Sequence, residues 1–99
     1  MGPEARIEGR VVRYAKERGA TSVKLSTQGA MGNAGWPDRM FLGPDARVLF
    51  IEFKAPGRKP TLKQAARISS LKSLGFEVEV VDNIQVGRSR IARWMEAAP

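Results

Sequence analysis

Gly35-Trp36-Pro37-Asp38-Arg39 and Val48-Leu49-Phe50-Ile51-Glu52-Phe53-Lys54 are the two stretches that decide the fold of this chain. The second is almost wholly apolar over Val48–Phe53, which is typical of a strand buried on both faces. An ionised side chain in such a layer costs several kcal/mol or shifts its pKa unless it is paired. Glu52 therefore needs a partner, and Asp38 is a second carboxylate that can reach the same place.

The two stretches predict a β-hairpin. Residues 39–42 and 47–54 are strand-like, and Gly43-Pro44-Asp45-Ala46 between them has the composition of a turn. This hairpin places the strand that carries Glu52 in the middle of a sheet.

The register of the hairpin decides whether the carboxylates meet. A loop of three or five residues places Asp38 opposite Glu52, roughly 5 Å away, and Lys54 then shares the face of Glu52. A loop of two or four residues would place Asp38 opposite Ile51, so that a bulge or a bend at Pro37 would be needed. We favour the first register.

Two carboxylates on one face repel each other unless a cation lies between them. Carboxylate oxygens suit Mg²⁺, and an amine such as Lys54 can orient water or offset the charge of a phosphate. A metal that binds a phosphate oxygen and polarises water is suited to phosphodiester hydrolysis. From spacing alone, a cluster of salt bridges among Asp38, Glu52 and Lys54 is an equal alternative.

Composition restricts the chemistry. The chain has 99 residues, which predicts a single domain over residues 1–99, and its net charge of +7 indicates an acidic polymer or an anionic surface as partner. It contains no Cys and no His, which excludes thiolate nucleophiles, histidine bases and zinc sites built from these residues. The sequence contains no stretch of about 18 apolar residues, so we expect no membrane span. It contains no apolar signal core, so we do not expect export. We expect a cytoplasmic protein of a bacterial or phage-infected cell.

The first part of the chain predicts a helix over residues 4–18, ended by Gly19, and a strand over residues 20–26. Glu8 falls inside the apolar stripe of this helix. It is either an edge residue with a helical partner or a further ligand aimed at the hairpin. The glycine-rich residues 27–35 are either a plain connection or a loop that closes over a substrate.

The second part predicts a helix from about Leu62 to Leu74 that is stopped by Gly75. Thr61 and Gln64 form a capping box in sequence. The residues expected to face inward are Ala65, Ile68, Leu71 and Leu74. A strand over residues 76–81, a connection over residues 82–86 and a last helix over Ser89–Ala97 follow, which gives the order α-β-β-β-α-β-α. Five basic residues in this part of the chain have no acidic residue among them. They form either a surface that binds the phosphates of DNA or an ordinary solvated face: Arg58, Lys59, Lys63, Arg67 and Lys72.

The motif series resembles the stand-alone VRR-Nuc domains of the PD-(D/E)XK nuclease superfamily, which includes Holliday-junction resolvases. The matching positions span roughly residues 4–82 and include Glu8, Gly35-Trp36-Pro37-Asp38, Ile51-Glu52-Phe53-Lys54-Ala55-Pro56-Gly57, Gln64 and the run from Leu71 to Val78. The resemblance implies an α/β fold with a restriction-endonuclease-like αβββαβ core, a central mixed sheet flanked by helices, and a short C-terminal helix outside the match.

The resemblance also implies roles for individual residues. Asp38, Glu52 and the backbone carbonyl of Phe53 would bind Mg²⁺, with Mn²⁺ as a substitute. Lys54 would position the attacking water and stabilise developing charge. Glu8 would complete the acidic cluster, and Gln64 would orient Lys54 or the substrate phosphate.

The implied activity is hydrolysis of DNA that leaves a 5′-phosphate and a 3′-hydroxyl. By analogy we expect a homodimer that acts on branched or four-way junction DNA. Two alternatives stay open at this point: a non-catalytic basic module that binds nucleic acid, and a nuclease directed at RNA.

Overall fold

A computed structural model describes residues 1–25 and 35–96 of the chain. The helices are α1 (Pro3–Glu17), α2 (Leu62–Ser73) and α3 (Ile84–Glu96), and the strands are β1 (Thr21–Lys24), β2 (Arg39–Leu42), β3 (Val48–Phe53) and β4 (Glu77–Val81). They follow in the order α1-β1-β2-β3-α2-β4-α3, as the sequence predicts. The glycine-rich loop predicted over residues 27–35 lies, apart from Gly35, outside the described residues.

The four strands form one mixed sheet in the order β1-β2-β3-β4. The first three are antiparallel, and β4 runs parallel to β3. Arg39 pairs with Ile51 and Leu42 pairs with Val48, so the favoured register is confirmed and Asp38 lies one step beyond, opposite Glu52. A short 3₁₀ helix over Pro44–Ala46 closes the hairpin.

Each face of the sheet is covered by different helices. Helices α1 and α3 cover one face, where they pack against β3 residues Leu49, Ile51 and Phe53. Helix α2 covers the other face, where Ile68 and Leu71 pack against Phe50. Because side chains alternate along a strand, Glu52 points to the same face as Phe50, toward α2.

Helix α3 begins earlier than the sequence predicts. The predicted connection over residues 82–86 is too long and the predicted helix start at Ser89 is wrong, because α3 begins at Ile84. The side chain of Asn83 accepts a hydrogen bond from the backbone N–H of Val86 at 3.1 Å and starts the helix there. Gly87 lies inside this helix, at a position where there is no room for a side chain, because an added Cβ would lie 2.5 Å from Cγ2 of Val11. The glycine thus permits close packing of α3 on α1.

Helix α2 has the predicted capping box but a narrower apolar face. Ile68 and Leu71 are buried as predicted, whereas the prediction that Ala65 and Leu74 face inward is wrong, since both are exposed. Leu74 is the C-cap residue, after which the chain turns away through Gly75 at φ 95°. Within residues 1–25 and 35–96, no helix has the length and apolar character that a bilayer crossing requires.

Candidate active site

Glu52 is the buried centre of the site. Its side chain is 2% exposed, and it comes from the second-to-last residue of β3. Its Oε2 accepts a hydrogen bond from Nε2 of Gln64 at 3.0 Å and lies 3.2 Å from Nζ of Lys54. Its Oε1 is buried and has no hydrogen-bond partner within the described residues. One oxygen of the Glu52 carboxylate is therefore held by two side chains, and the other can accept a hydrogen bond or bind a cation.

Asp38 is fixed beside Glu52 through the backbone. Its Oδ2 accepts a hydrogen bond from the backbone N–H of Phe53 at 2.8 Å, so the side chain reaches across the hairpin to β3. Its carbonyl oxygen accepts a hydrogen bond from the N–H of Leu25, also at 2.8 Å, which extends the pairing of β1 with β2. These bonds at both ends of the residue limit the motion of its carboxylate.

The electrostatic state of Glu52 reflects this surrounding. Burial raises the pKa of Glu52 from its usual 4.5 to about 7, and the charge of Asp38 acts in the same direction. The hydrogen bond and charge of Lys54 oppose this rise only in part. A carboxyl group with a pKa near neutrality, beside a second carboxylate and an amine, is a feature of functional sites.

Gln64 joins the start of α2 to the site. Its Oε1 accepts a hydrogen bond from the backbone N–H of Thr61 at 2.9 Å, and its backbone N–H donates to Oγ1 of Thr61 at 3.2 Å. The NH2 group of the same side chain donates a hydrogen bond to Oε2 of Glu52, as described above. The capping box predicted from sequence therefore also orients the buried carboxylate, whereas the resemblance implied an action on Lys54 or on the substrate.

Glu8 does not join Asp38 and Glu52. It lies on the face of the sheet that α1 covers, where its Oε2 accepts hydrogen bonds from Nε of Arg39 at 2.7 Å and from Nζ of Lys24 at 2.9 Å. Burial acts to raise the pKa of Glu8, but these two cations outweigh it and the pKa is lowered. Asp38 directly precedes Arg39, the first residue of β2, and neighbouring side chains of an extended chain point to opposite faces. A side chain that contacts Arg39 is therefore on the wrong face for the site.

The acidic residue of α1 that acts on Glu52 is Glu4. Its charge contributes to the raised pKa of Glu52, and it lines a cleft of about 410 Å³ together with Lys54. Glu4 precedes Glu8 by one helical turn and lies at the N-terminal end of α1, close to the end of β3. Glu4 lies on the same stripe of α1 as Glu8, and the sequence alone does not tell which turn of the helix reaches the end of β3.

The predicted basic residues lie around this cleft and along α2. Arg58 and Lys59 line the cleft, and both are exposed. Arg67 places its guanidinium carbon 4.6 Å from the centre of the Trp36 ring, and Lys63 is exposed on the same helix.

The donor set fits a hard divalent cation that keeps several of its waters. No group of three or more His, Cys, Asp or Glu side chains within the described ranges is placed to hold a metal ion, so a closed protein cage is not formed there. Two carboxylates with remaining water ligands are the usual way in which proteins bind Mg²⁺. The unpartnered Oε1 of Glu52 supplies the free acceptor that such an ion requires.

The fold and the site together define a class of protein, an α/β domain with a mixed central sheet that carries two carboxylates and an amine on its hairpin. A solved structure described as "VRR_NUC domain" superposes with a TM-score of 0.81 and 24% sequence identity, and the match covers 93% of this chain and 97% of that one. "Putative nuclease p44" of Acyrthosiphon pisum secondary endosymbiont phage 1 is 35% identical over 80 residues, which are 81% of this chain and 83% of the relative. No family model matches the chain.

These similarities place the chain by both fold and sequence. The chain belongs to the VRR-Nuc family of nuclease domains. The predicted fold class and the predicted family are therefore confirmed.

Proposed function

We propose that this protein is an endonuclease that depends on a divalent metal ion and hydrolyses phosphodiester bonds in DNA. The observation that carries the proposal is the pairing of Asp38 with a buried Glu52 whose Oε1 lacks a partner, beside the amine of Lys54. A purely structural ion pair would be expected to satisfy both oxygens of a buried carboxylate.

In this proposal Asp38, Glu52 and the backbone carbonyl of Phe53 hold one Mg²⁺ ion, for which Mn²⁺ can substitute. Glu4 replaces Glu8 as the contribution of α1, because Glu8 is held by two cations on the opposite face of the sheet. When bound, the ion supplies positive charge to a phosphate oxygen and acidifies a water molecule.

The side chains of the protein position the reactants. Lys54 extends from the end of β3 into the cleft and offsets the negative charge that develops on the phosphoryl group. Gln64 holds one oxygen of Glu52, so the other oxygen stays directed away from the helix cap. Fixing both carboxylates through backbone and amide hydrogen bonds reduces the reorganisation that the reaction requires.

The proposed reaction is an in-line displacement at phosphorus. The oxygen of water forms a bond to phosphorus, the bond from phosphorus to the 3′ oxygen breaks, and that oxygen leaves with a proton as a 3′-hydroxyl. The proton lost by the water passes to solvent, and solvent supplies the proton that the departing 3′ oxygen takes up. The products are a 5′-phosphate end and a 3′-hydroxyl end.

The proposed substrate is DNA, and branched or four-way junction DNA in particular. The net charge of +7 and the basic residues Arg58, Lys59, Lys63 and Arg67 suit a long phosphate backbone. One site cuts one strand, so a symmetric dimer would cut two strands of a branched duplex. We propose such a homodimer, acting in the cytoplasm of a bacterial or phage-infected cell.

A comparative digest tests this proposal. Supercoiled plasmid, a four-way junction and a structured RNA are incubated with the wild type and with Glu52→Gln in Mg²⁺, in Mn²⁺ and in a chelator. We expect metal-dependent cleavage of DNA by the wild type only. Cleavage of RNA alone would redirect the proposal to an RNA nuclease, and binding without cleavage in any metal would reduce it to a binding module.

Light scattering coupled to gel filtration tests the proposed dimer separately. We expect twice the mass of the 10.9 kDa chain at micromolar concentration. A monomer under these conditions would contradict the dimer and leave the proposed chemistry unaffected.

A further inference from the structure

A second cavity, of about 540 Å³, lies next to the active-site cleft. It is found at the ends of the two parallel strands, where Pro56 follows β3 and Asp82 follows β4. The first turns of α1 and α3 form its walls. Pro3 and Pro56 line both this cavity and the cleft that holds Lys54, so the two concavities adjoin.

Arg88 lines this cavity and differs from three of the other half-buried arginines of the protein. The fourth, Arg67, resembles Arg88 in having only a ring contact, but no buried nitrogen of Arg67 lacks a partner. Arg39 donates a hydrogen bond to a glutamate, Arg47 to two backbone carbonyls and Arg90 to two glutamates. Arg88 has no hydrogen bond or ion pair to any residue in 1–25 or 35–96, and its Nε is buried without an acceptor. Within the described residues, its guanidinium group has a cation–π contact with Tyr14, whose ring centre lies 5.7 Å from the guanidinium carbon. A half-buried guanidinium without an acceptor is expected to serve an acceptor from outside the chain.

The charged side chains that line the cavity keep an excess of positive charge, because Asp82 supplies one negative charge against the two guanidinium groups of Arg6 and Arg88. Asp82 also lines it, but its Oδ2 accepts a hydrogen bond from the backbone N–H of Gly57 at 3.0 Å. Asn83 uses its Oδ1 to cap α3. Arg6, from the first turns of α1, adds a second guanidinium that is exposed to solvent. Two arginines that converge on one cavity suit a phosphate, because the planar fork of guanidinium donors matches two phosphate oxygens.

We propose that Arg88 and Arg6 bind a backbone phosphate of the nucleic-acid strand that flanks the phosphate being cut. The strand would pass from the Lys54 cleft over Pro3 and Pro56 into this cavity. This proposal rests on the proposed function and adds to it a site on the side of α3, away from the basic face of α2.

A double-mutant cycle between arginine and phosphate tests the proposal. Arg88→Gln and Arg6→Gln are each introduced into the cleavage-deficient Asp38→Asn protein. Arg93→Gln is the matched control, because Arg93 is exposed, lies on the same helix and loses the same charge. Fluorescence anisotropy then measures the Kd for a duplex whose cut site has been mapped with the wild type. A second set of duplexes carries one uncharged methylphosphonate at each successive position around that site.

We expect Arg88→Gln and Arg6→Gln to raise the Kd about tenfold, as loss of a charged hydrogen bond predicts, and to lower the slope of log Kd against log salt by about one. Arg93→Gln should change the Kd less than about twofold. One methylphosphonate position should weaken binding by the parent and by the control, yet should cost the Arg88→Gln protein nothing further. That position identifies the phosphate that Arg88 contacts.

Equal affinities for Arg88→Gln, Arg6→Gln and Arg93→Gln would overturn the proposal. So would losses that multiply at every methylphosphonate position. A thermal melt checks folding, and Arg6→Gln decides the matter if Arg88→Gln does not fold, because Arg6 is on the surface. Failure of the wild type to cut DNA in Mg²⁺ would overturn the proposed function as well, whereas a cutting wild type with an unaffected Arg88→Gln variant would overturn the phosphate site alone.

Discussion

Replacing Glu52 by Gln should stabilise the metal-free protein at high pH. Gln has nearly the same shape and keeps an oxygen that can accept from Gln64 and Lys54, but it cannot ionise. In the wild type, burial and the charge of Asp38 raise the pKa of Glu52 from 4.5 to about 7. The folded state therefore holds a proton that the unfolded chain has already released between these two pH values.

The sign and size of the effect follow from linkage. Because the pKa is higher in the folded state, the stability from the retained proton is complete below pH 4.5 and is lost as the pH rises through about 7. The pKa difference corresponds to about 3 kcal/mol of unfolding free energy, since one unit is about 1.4 kcal/mol. Glu52 is only 2% exposed, so solvent screening reduces this value little.

Thermal unfolding in a chelator at pH 5 and pH 8 measures the effect. We expect the wild type and Glu52→Gln to melt at similar temperatures at pH 5. At pH 8 the variant should have the higher Tm, by on the order of 15 °C for a domain of this size. A lower Tm for Glu52→Gln at pH 8, or the same difference at both pH values, would refute the reasoning about the buried carboxylate.

Four further substitutions separate the roles assigned here. Asp38→Asn should abolish metal-dependent cleavage in a nuclease assay while DNA affinity is kept or improved, because anionic repulsion falls. Glu4→Gln should weaken Mn²⁺ binding in a calorimetric titration, whereas Glu8→Gln should leave Mn²⁺ binding unchanged. Glu8→Gln should instead lower the free energy of unfolding by about 2 kcal/mol at pH 7, because it removes charged hydrogen bonds. This loss should vanish well below pH 4.5, where Glu8 is protonated in the folded wild type as well and its lowered pKa contributes no stability. Gly87→Ala should lower stability in chemical denaturation by about 1–3 kcal/mol, because the new Cβ would overlap Val11.

Each of these predictions has a result that contradicts it. Residual cleavage by Asp38→Asn near the wild-type rate would remove that carboxylate from the proposed chemistry. Weaker metal binding by Glu8→Gln than by Glu4→Gln would reverse their assignment. An unchanged unfolding free energy for Gly87→Ala would show that α1 and α3 can separate at no cost.

The hairpin and its carboxylates could be predicted because their signals are local. The apolar run of β3, the turn residues between the strands and the two-residue alternation predict the hairpin and leave two registers open. The structure confirms the favoured one at Arg39 and Ile51. The capping box of Thr61 and Gln64 is equally local and equally confirmed.

The positions that sequence reasoning missed depend on tertiary distance. Nothing local distinguishes Glu4 from Glu8, because both lie on one stripe of α1 and only the placement of the helix along β3 decides which one reaches the site. Gly87 lies before the helix that was predicted over Ser89–Ala97, whereas in the structure it lies inside α3 and packs closely against Val11. Arg88 carries no signal in sequence, since its lack of a partner is visible only in three dimensions.

Calorimetric titration of Mn²⁺, with the number of protons released measured in buffers of different ionisation enthalpy, tests the shared cation site most directly. A pKa of about 7 for Glu52 predicts release of about 0.9 proton per ion at pH 6 and about 0.1 at pH 8. Glu52→Gln should release no such proton and should bind the ion more weakly. Absence of binding by the wild type, or a proton release that is the same at both pH values and persists in Glu52→Gln, would contradict the assignment of Asp38 and Glu52 to one metal ion.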